Sequence, residues 1–228
     1  MDHRTRFPAA LALAGLLTWH PSPARAEAAS ASARATDNQA FVAALADFVK
    51  VREAAPGADT DKANDDFRKL SEAEPQNPLY LAYYGATWAM KGRDAWAPWN
   101  KLRNTEKGGE ILDKALAMLG PEHEQLLVRG TPVAIEVRLV AASTFLALPD
   151  LFHRLEAGKA TLASALGSAL FSSAPGQLRA QVFAQSAVLA RKEGNAAREA
   201  EALRQAVQEW PESELAANAR QRLLELGK

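Results

Sequence analysis

The sequence predicts an all-α fold in which helix pairs stack one after another. Alanine is abundant while valine and isoleucine are sparse, a composition that favours helices over strands. Proline and glycine divide the chain after residue 38 into pieces of helix length. Apolar side chains in those pieces recur at steps of three and four residues, as on one face of a helix. No alternating run of strand length stands out.

Residues 1–26 have the features of a secretory signal peptide. Arg4 and Arg6 precede an apolar run, 7–19, and the tripeptide Ala-Arg-Ala that ends at Ala26 fits the cleavage pattern of small residues. The run is shorter than the roughly 20 residues of a membrane-spanning helix, which makes an uncleaved anchor the weaker alternative. We therefore expect cleavage near Ala26 and a periplasmic or secreted protein.

Composition limits the possible domain organisation and partners of the chain after the signal peptide. Residues 27–37 are rich in alanine and serine, so we expect a disordered lead, followed by one helical domain over 38–228 that is long enough to bury a core. The whole chain carries 27 basic and 27 acidic residues, a balance that favours neither nucleic acid nor an anionic membrane surface as partner. Cysteine is absent, which excludes disulfides and a cysteine-linked lipid anchor. After the signal, no segment is predicted to span a membrane.

The first three predicted helices span 38–54, 60–74 and 78–91. Asp59 or Thr60 is the expected cap of the second helix, and Pro78 suits the first turn of the third. Because a glycine inside a helix costs about 1 kcal/mol relative to alanine, Gly85 is expected to mark a close approach to a neighbouring helix. Gly92 is expected to close this helix as a left-handed cap.

A fourth helix is predicted to end at Gly120, but it begins late. Its inward-facing residues, Leu112 and Ala115, follow roughly three helical turns later than a repeat of about 34 residues requires. Residues 93–107 contain this surplus and are interpreted as an insertion. Insertions on a repeat scaffold are frequent sites of function.

Residues 121–129 are predicted to form a short helix or turn, and Thr131 to cap the next helix with Pro132 in its first turn. The later helices are predicted at 132–147, 159–172, 177–193, 196–209 and 212–226. The first of these is apolar nearly all round, which is typical of a helix buried between neighbours. The last has a polar outer side, as a solvent-facing terminal helix should; its residues there are Asn218, Arg220 and Gln221.

Two stretches carry the spacing of a helical repeat. The first contains Ala63, Phe67, Pro75, Leu81, Tyr84, Gly85 and Trp88, and the second contains Phe183, Ala187, Gly194, Leu203 and Pro211. Both resemble the tetratricopeptide repeat, a helix pair of about 34 residues. Ser186 and Ala190 depart from the usual leucine and tyrosine, and 121–172 gives no clean repeat.

The resemblance to the tetratricopeptide repeat implies an irregular right-handed α-solenoid of antiparallel helix pairs. It also implies which side chains pack one repeat against the next. These are Ala63, Phe67, Tyr84, Gly85, Trp88, Phe183, Ala187 and Leu203.

A second set of short motifs lies within residues 67–156. In chain order these are Asn77-Pro78, Ala82-Tyr83-Tyr84-Gly85, Trp96, Pro98, Lys101-Leu102, Gly108-Gly109, Leu112-Asp113, Glu136-Val137-Arg138 and Leu148-Pro149. They resemble an uncharacterised family of exported bacterial helical-repeat proteins. That resemblance implies the helical fold and export, and it implies no mechanism.

No combination of residues predicts catalysis, so we expect a protein that is not an enzyme and has neither a cofactor nor a metal site. His123 and His153 lie outside the spacings of zinc sites, and the acidic neighbours of His123 are interpreted as part of a solvated loop. The chain has neither the G-x-S-x-G motif of hydrolases nor a glycine-rich phosphate loop.

Aromatic residues concentrate in one stretch of 20 residues, although they make up only 7% of the chain. They are Tyr80, Tyr83, Tyr84, Trp88, Trp96 and Trp99. Trp96 and Trp99 exceed the repeat pattern and neighbour three basic residues, Arg93, Lys101 and Arg103. Aromatic rings beside basic groups suit recognition of a peptide or a small anionic ligand; a structural brace is the equal alternative. A recognition surface requires at least one exposed tryptophan.

Arg138 lies within the most apolar predicted helix. A buried guanidinium must be paired, since an unpaired charge is very costly to bury. Arg138 could therefore hold two repeats in register, or it could anchor an anion in a groove.

The sequence thus predicts an exported helical-repeat scaffold that binds a protein or peptide of the cell envelope on the concave face of the stack. The alternative is a small-ligand-binding protein that uses 93–107. The candidate binding residues are Arg93, Trp96, Trp99, Lys101, Arg103 and Arg138.

Overall fold

The computed structural model describes residues 39–55 and 58–227, which belong to one compact unit, Gln39–Lys228. The predicted signal peptide and lead, 1–26 and 27–37, lie outside the described residues. The described chain is almost wholly helical, with adjacent helices packed in pairs. The prediction of an all-α helical stack is therefore confirmed.

Ten α-helices follow one another in the described part of the chain: α1 (39–52), α2 (Thr60–Ala73), α3 (Pro78–Asp94), α4 (Pro98–Ala117), α5 (Pro121–Glu124), α6 (Val133–Ala147), α7 (Leu155–Leu166), α8 (Gly176–Lys192), α9 (Ala196–Glu209) and α10 (Glu214–Glu225). Between α5 and α6, a small antiparallel hairpin pairs β1 (Leu127–Val128) with β2 (Thr131–Pro132). A 3-10 turn, Asp150–Phe152, connects α6 to α7.

Side-chain caps start α2, α3, α9 and α10. The Asp59 side chain accepts from the backbone N–H of Lys62 and caps α2. Asn77 caps α3, ahead of Pro78 in the first turn. Asn195 and Ser213 cap α9 and α10 in the same way. Each cap satisfies a backbone donor that the helix itself leaves unpaired.

A seam of glycines brings α3 and α4 together. A Cβ on Gly85 would lie 2.9 Å from Leu112 Cγ, and one on Gly108 would lie 2.7 Å from the backbone nitrogen of Ala89. The close approach predicted at Gly85 is confirmed. Gly92 is not a left-handed cap, which corrects that prediction: it lies inside α3, where a Cβ would collide with Thr105. The contact with α4 explains why residue 92 is a glycine, and the neighbouring residues in the sequence do not reveal that contact.

The surplus residues 93–107 do not form a separate loop. Helix α3 continues to Asp94, three residues make the connection, and α4 starts at Pro98. No proline or glycine interrupts 99–107, so the helix can propagate through this stretch. The surplus therefore lengthens one helix pair rather than adding a loop to it.

The starts of α6 and α7 also differ from the predictions. Thr131 and Pro132 form β2, and α6 begins at Val133 without a side-chain cap. The helix predicted at 159–172 is α7, Leu155–Leu166, because its packing against α6 already includes Gly158, whose Cβ would touch Leu146.

Helix α6 lies at the centre of the described unit. One of its faces, with Val133, Val137 and Phe145, joins an aromatic core built by α1 to α4. Its other face, with Ile135 and Leu146, joins a second core with α7 and α8. The predicted burial of this helix between neighbours is confirmed.

The C-terminal helices enclose a third, smaller core of Ala187, Ala202, Leu203 and Ala219. The outer side of α10 is exposed at Asn218, Arg220 and Gln221, as predicted. Among the expected repeat-packing residues, Ala63, Phe67, Gly85, Ala187 and Leu203 are buried, whereas Tyr84, Trp88 and Phe183 are half-buried.

Candidate binding surfaces on the α3–α4 helix pair

The connection between α3 and α4 carries the most exposed aromatic side chains of the described residues. Trp96 is 92% exposed, Trp99 is 68% exposed and Leu102 is 44% exposed. Every other aromatic side chain in the described ranges is buried or half-buried. We call Trp96, Trp99 and Leu102, with the basic residues Lys101 and Arg103 between and beside them, the tip.

Local geometry explains why the tryptophans point outward. Ala97 packs inward between Trp96 and Pro98, and Pro98 fixes the start of α4. Nine residues separate Trp99 from Gly108, which places them on opposite sides of the helix at 3.6 residues per turn. Since Gly108 faces α3, Trp99 faces away from it.

The basic side chains near the tip differ in how they are held. The Arg93 guanidinium donates to the Val51 carbonyl at 3.0 Å and to the Asp94 carboxylate at 2.6 Å, and this contact lowers the pKa of Asp94. Arg93 thus ties the end of α3 to the end of α1. Lys101 Nζ donates to the Arg93 carbonyl at 3.3 Å.

Arg103 donates to the Asn100 side chain at 2.8 Å. Lys101 and Arg103 are both exposed, and neither forms an ion pair with a carboxylate of the described residues. The structure therefore exposes Trp96, Trp99, Lys101 and Arg103 around the start of α4, while Arg93 is bound to the end of α1.

A second surface runs along α3 between α2 and α4. Leu81, Tyr84, Trp88 and Lys91 follow one another at steps of three, four and three residues, so they share one helix face. All four are half-buried, and the rings of Tyr84 and Trp88 meet edge to face at 6.2 Å. We call these four residues the α3 stripe.

Two lysines flank the Trp88 indole. Lys107 Nζ from α4 lies 3.9 Å from the ring centroid, and Lys91 Nζ lies 5.0 Å from it. Lys91 also pairs with Asp61 at 2.6 Å, whereas Lys107 forms no ion pair with a described carboxylate. The indole Nε1–H of Trp88 is buried and has no acceptor among the described residues.

Arg138 lies away from both surfaces and is paired within the molecule. Its guanidinium donates through both terminal nitrogens to the Glu124 carboxylate, one contact at 3.1 Å, and this pairing lowers the pKa of Glu124. Beside it, His123 Nδ1 accepts from the Gly120 N–H at 3.0 Å. Arg138 therefore fastens α5 to α6, in line with the pairing alternative and not with a free anion anchor.

Glu136 is a buried carboxylate that the sequence interpretation missed. It is 6% exposed; its Oε1 accepts from the Tyr83 hydroxyl at 2.7 Å and from Arg129 at 3.2 Å, while its Oε2 is buried without a donor. Burial raises the pKa of Glu136 and also that of Tyr83. The sequence feature that could have revealed this buried carboxylate is an acidic residue inside the most apolar predicted helix.

A shallow cavity of about 280 Å³ lies at the corner of α6 and α7. Its cationic side chains are already engaged: Arg154 pairs with Asp113 at 2.7 Å, and Lys192 lies 3.9 Å from Asp150. The cavity thus offers little free charge to a ligand.

Within the described ranges, no group of three or more His, Cys, Asp or Glu side chains is placed to hold a metal ion. No helix in the described part of the chain has the length and apolar character to cross a membrane. Comparisons with protein-family models, with curated proteins and with solved structures found no match. The resemblance to the tetratricopeptide repeat therefore stays a prediction from the sequence.

Proposed function

We propose that this protein is an exported helical-repeat scaffold that binds a segment of another envelope protein along the α3 stripe. The observation that supports this function best is the half-buried pair of Tyr84 and Trp88, on a face of α3 that its neighbouring helices leave open. Beside that pair lies Lys107, a cation without a carboxylate partner in the described chain.

The side chains at the α3 stripe indicate what kind of partner segment would bind there. The aromatic rings provide a flat apolar surface, where aromatic anchors commonly contribute 2 kcal/mol or more to a protein interface. Lys107 would pair with a carboxylate of the partner. The partner segment is therefore apolar with an adjacent acidic residue.

The small-ligand alternative receives less support from the geometry. A tryptophan that is 92% exposed, as Trp96 is, cannot line an enclosed ligand site. Pockets for small ligands bury most of the ligand surface. The residues of 93–107 are therefore better suited to contact an extended surface.

Export is tested by sequencing the N-terminus of protein recovered from the periplasmic or secreted fraction. The features of 1–26 predict a first residue at or near Glu27. Recovery of the intact chain from the cytosol would overturn the export part of the proposal.

Binding is tested by capture from an envelope extract, followed by titration of the identified segment as a peptide. Lys107→Glu reverses one exposed charge beside the stripe and should lower peptide affinity by about tenfold or more, since it replaces attraction by repulsion. Lys101→Glu is the matched control, because it makes the same change on the same helix but at the tip. Equal affinity of the wild type and Lys107→Glu would contradict the stripe as the binding face.

A further inference from the structure

We propose that the tip docks this protein on an anionic lipid surface, with Trp96, Trp99 and Leu102 entering the interface between headgroups and acyl chains. This inference is independent of the α3 stripe, because it uses different residues, in the α3–α4 connection and the first two turns of α4. It assigns a role to the most exposed aromatic residues of the described chain.

The shape of the tip favours a lipid surface over a protein partner. A stable protein interface takes about 20–30 residues from each side and a closely fitting shape. The tip offers three apolar side chains that project from a helix connection, with exposures of 92%, 68% and 44%. A bilayer requires no complementary shape, and tryptophan is enriched at the boundary between membrane and water because its ring is apolar and its N–H is polar.

The charge at the tip has the sign that an anionic surface requires. Residues 93–103 contain three basic side chains and one acidic one, and the acidic one, Asp94, is paired with Arg93. Arg103 stays exposed and donates to the neutral Asn100 side chain, while Lys101 stays exposed beside the Arg93–Asp94 pair. Each basic side chain close to such a surface raises the binding constant about fivefold. Over the whole chain the 27 basic and 27 acidic residues balance, so the net charge does not show this local excess of basic residues.

The base of the tip is rigid, which prepares it for insertion. Arg93 binds the end of α1, the Thr60 hydroxyl at the start of α2 donates to Asp94 at 2.7 Å, and Thr105 packs on Gly92. Binding therefore orders few groups, and the entropy that docking usually loses is small. Because the three apolar side chains project away from the core, truncating them should leave the fold intact.

The test is sedimentation of the exported, purified protein with vesicles, combined with its tryptophan emission. Vesicles of phosphatidylcholine and phosphatidylglycerol should bind the wild type and shift its emission to the blue. The double variant Trp96→Ala, Trp99→Ala should bind on the order of tenfold or more weakly, since each ring removes a large apolar area. Leu224→Ala, which truncates a side chain 72% exposed on α10, is the matched control and should bind like the wild type.

Charge dependence gives a second measurement that a merely apolar contact would not reproduce. The double variant Lys101→Glu, Arg103→Glu keeps both tryptophans and should lose its preference for anionic over neutral vesicles. Raising the salt to about 1 M, where the Debye length is about 3 Å, should weaken wild-type binding in the same direction. Thermal melts of all variants should coincide with that of the wild type.

Three results would overturn this inference. They are wild-type protein that stays in solution with anionic vesicles, equal vesicle binding by the tryptophan variant, and capture of a protein through the tip without any vesicle binding. Peptide binding at the stripe that Trp96→Ala, Trp99→Ala leaves unchanged, while vesicle binding is weakened, would separate the two surfaces and support the tip as the lipid contact.

Discussion

Helices α1–α4 and helices α8–α10 are both short stacks of paired helices, yet different side chains hold them together. In the N-terminal stack, Phe41, Phe48, Phe67, Tyr80 and Tyr83 form a network of ring contacts with centroids 4.9–6.3 Å apart. In the C-terminal stack, the core consists of three alanines and one leucine. The N-terminal helices are therefore joined by large rings, and the C-terminal helices mainly by small buried side chains, with Val207, Leu223 and Leu226 packed around them.

This difference determines which substitutions each stack tolerates. A core of rings loses a large apolar area and several ring contacts when one ring is removed, each such contact contributing about 0.5–1.5 kcal/mol beyond burial. A core of alanines has little to lose by truncation and no room for a larger side chain. Ion pairs between helices also hold the C-terminal stack together. Arg179 pairs with Glu209, and Arg222 pairs with Glu199.

The largest effect is expected from Phe67→Ala in the aromatic core. Phe67 is fully buried and contacts Phe41, Phe48 and Tyr83. Removing its ring should lower the free energy of unfolding by about 3–5 kcal/mol, from lost burial and the cavity left behind. Urea denaturation measures this change. Phe183→Ala, at a half-buried ring with one ring contact, should lose clearly less, and equal losses would remove the contrast between the two stacks.

Ala206→Leu tests whether the C-terminal stack lacks room for a larger side chain. Ala206 is fully buried in α9, so the added methyl and methylene groups should destabilise the protein by about 1–3 kcal/mol through overpacking. Ala197→Leu makes the same change at an exposed position of the same helix and should be nearly neutral. Thermal melts compare the two variants. A neutral Ala206→Leu would mean that the alanine core has free space.

Sequence patterns predicted elements whose ends are marked locally. Helix α9 has its predicted bounds, because Gly194 and Pro211 delimit it within the chain. Gly92 and α7 were misjudged because the deciding contacts come from other helices: Thr105 packs on Gly92, and Leu146 packs on Gly158.

At the candidate surfaces, too, the sequence revealed local features but not contacts with distant residues. The excess of Trp96 and Trp99 over the repeat pattern was visible in the sequence, and both are exposed. The pairing of Tyr83 with Glu136 joins residues 53 positions apart, and no local pattern predicts which acidic residue a tyrosine meets. The partners of Arg93 and Arg138 likewise became visible only in the packed structure.

Gly108→Ala tests the one place where the N-terminal stack also depends on backbone approach. A Cβ there would meet the backbone of Gly85 and Ala89 at 2.7 Å, so α3 and α4 must separate. Overpacking should cost about 1–3 kcal/mol, offset by nearly 1 kcal/mol of improved helix propensity. Gly167→Ala is the control, because its nearest neighbour is 3.3 Å away at the end of α7. A melting temperature for Gly108→Ala equal to or above that of Gly167→Ala would disprove the glycine seam.

The smallest expected effect is a pH dependence that differs in sign between two glutamates, one packed against the N-terminal stack and one at the end of α8. Burial raises the pKa of Glu136, which lies on α6 and accepts from Tyr83 of the N-terminal stack, above its ordinary value of 4.5. The stability that this carboxyl contributes is therefore complete below that value and is lost as the pH rises through the raised pKa. Lys159 lowers the pKa of the exposed Glu193 carboxyl, at the end of α8. Its contribution is present above the ordinary value and is lost as the pH falls through the lowered pKa.

Glu136→Gln should therefore gain stability relative to the wild type as the pH rises from about 4 to about 7. Glu193→Gln, the same substitution, should lose stability relative to the wild type as the pH rises toward the ordinary value and change little above it. Urea midpoints of the three proteins from about pH 2.5 to about pH 7 measure the two differences, because the change at Glu193 falls below its ordinary value of 4.5. Glutamine preserves an acceptor for Tyr83 and Arg129, so a difference that varies with pH reports the titration of the carboxyl and not the loss of its hydrogen bonds. Parallel pH profiles for the wild type and Glu136→Gln would show that the Arg129 contact fully compensates the burial of this carboxylate.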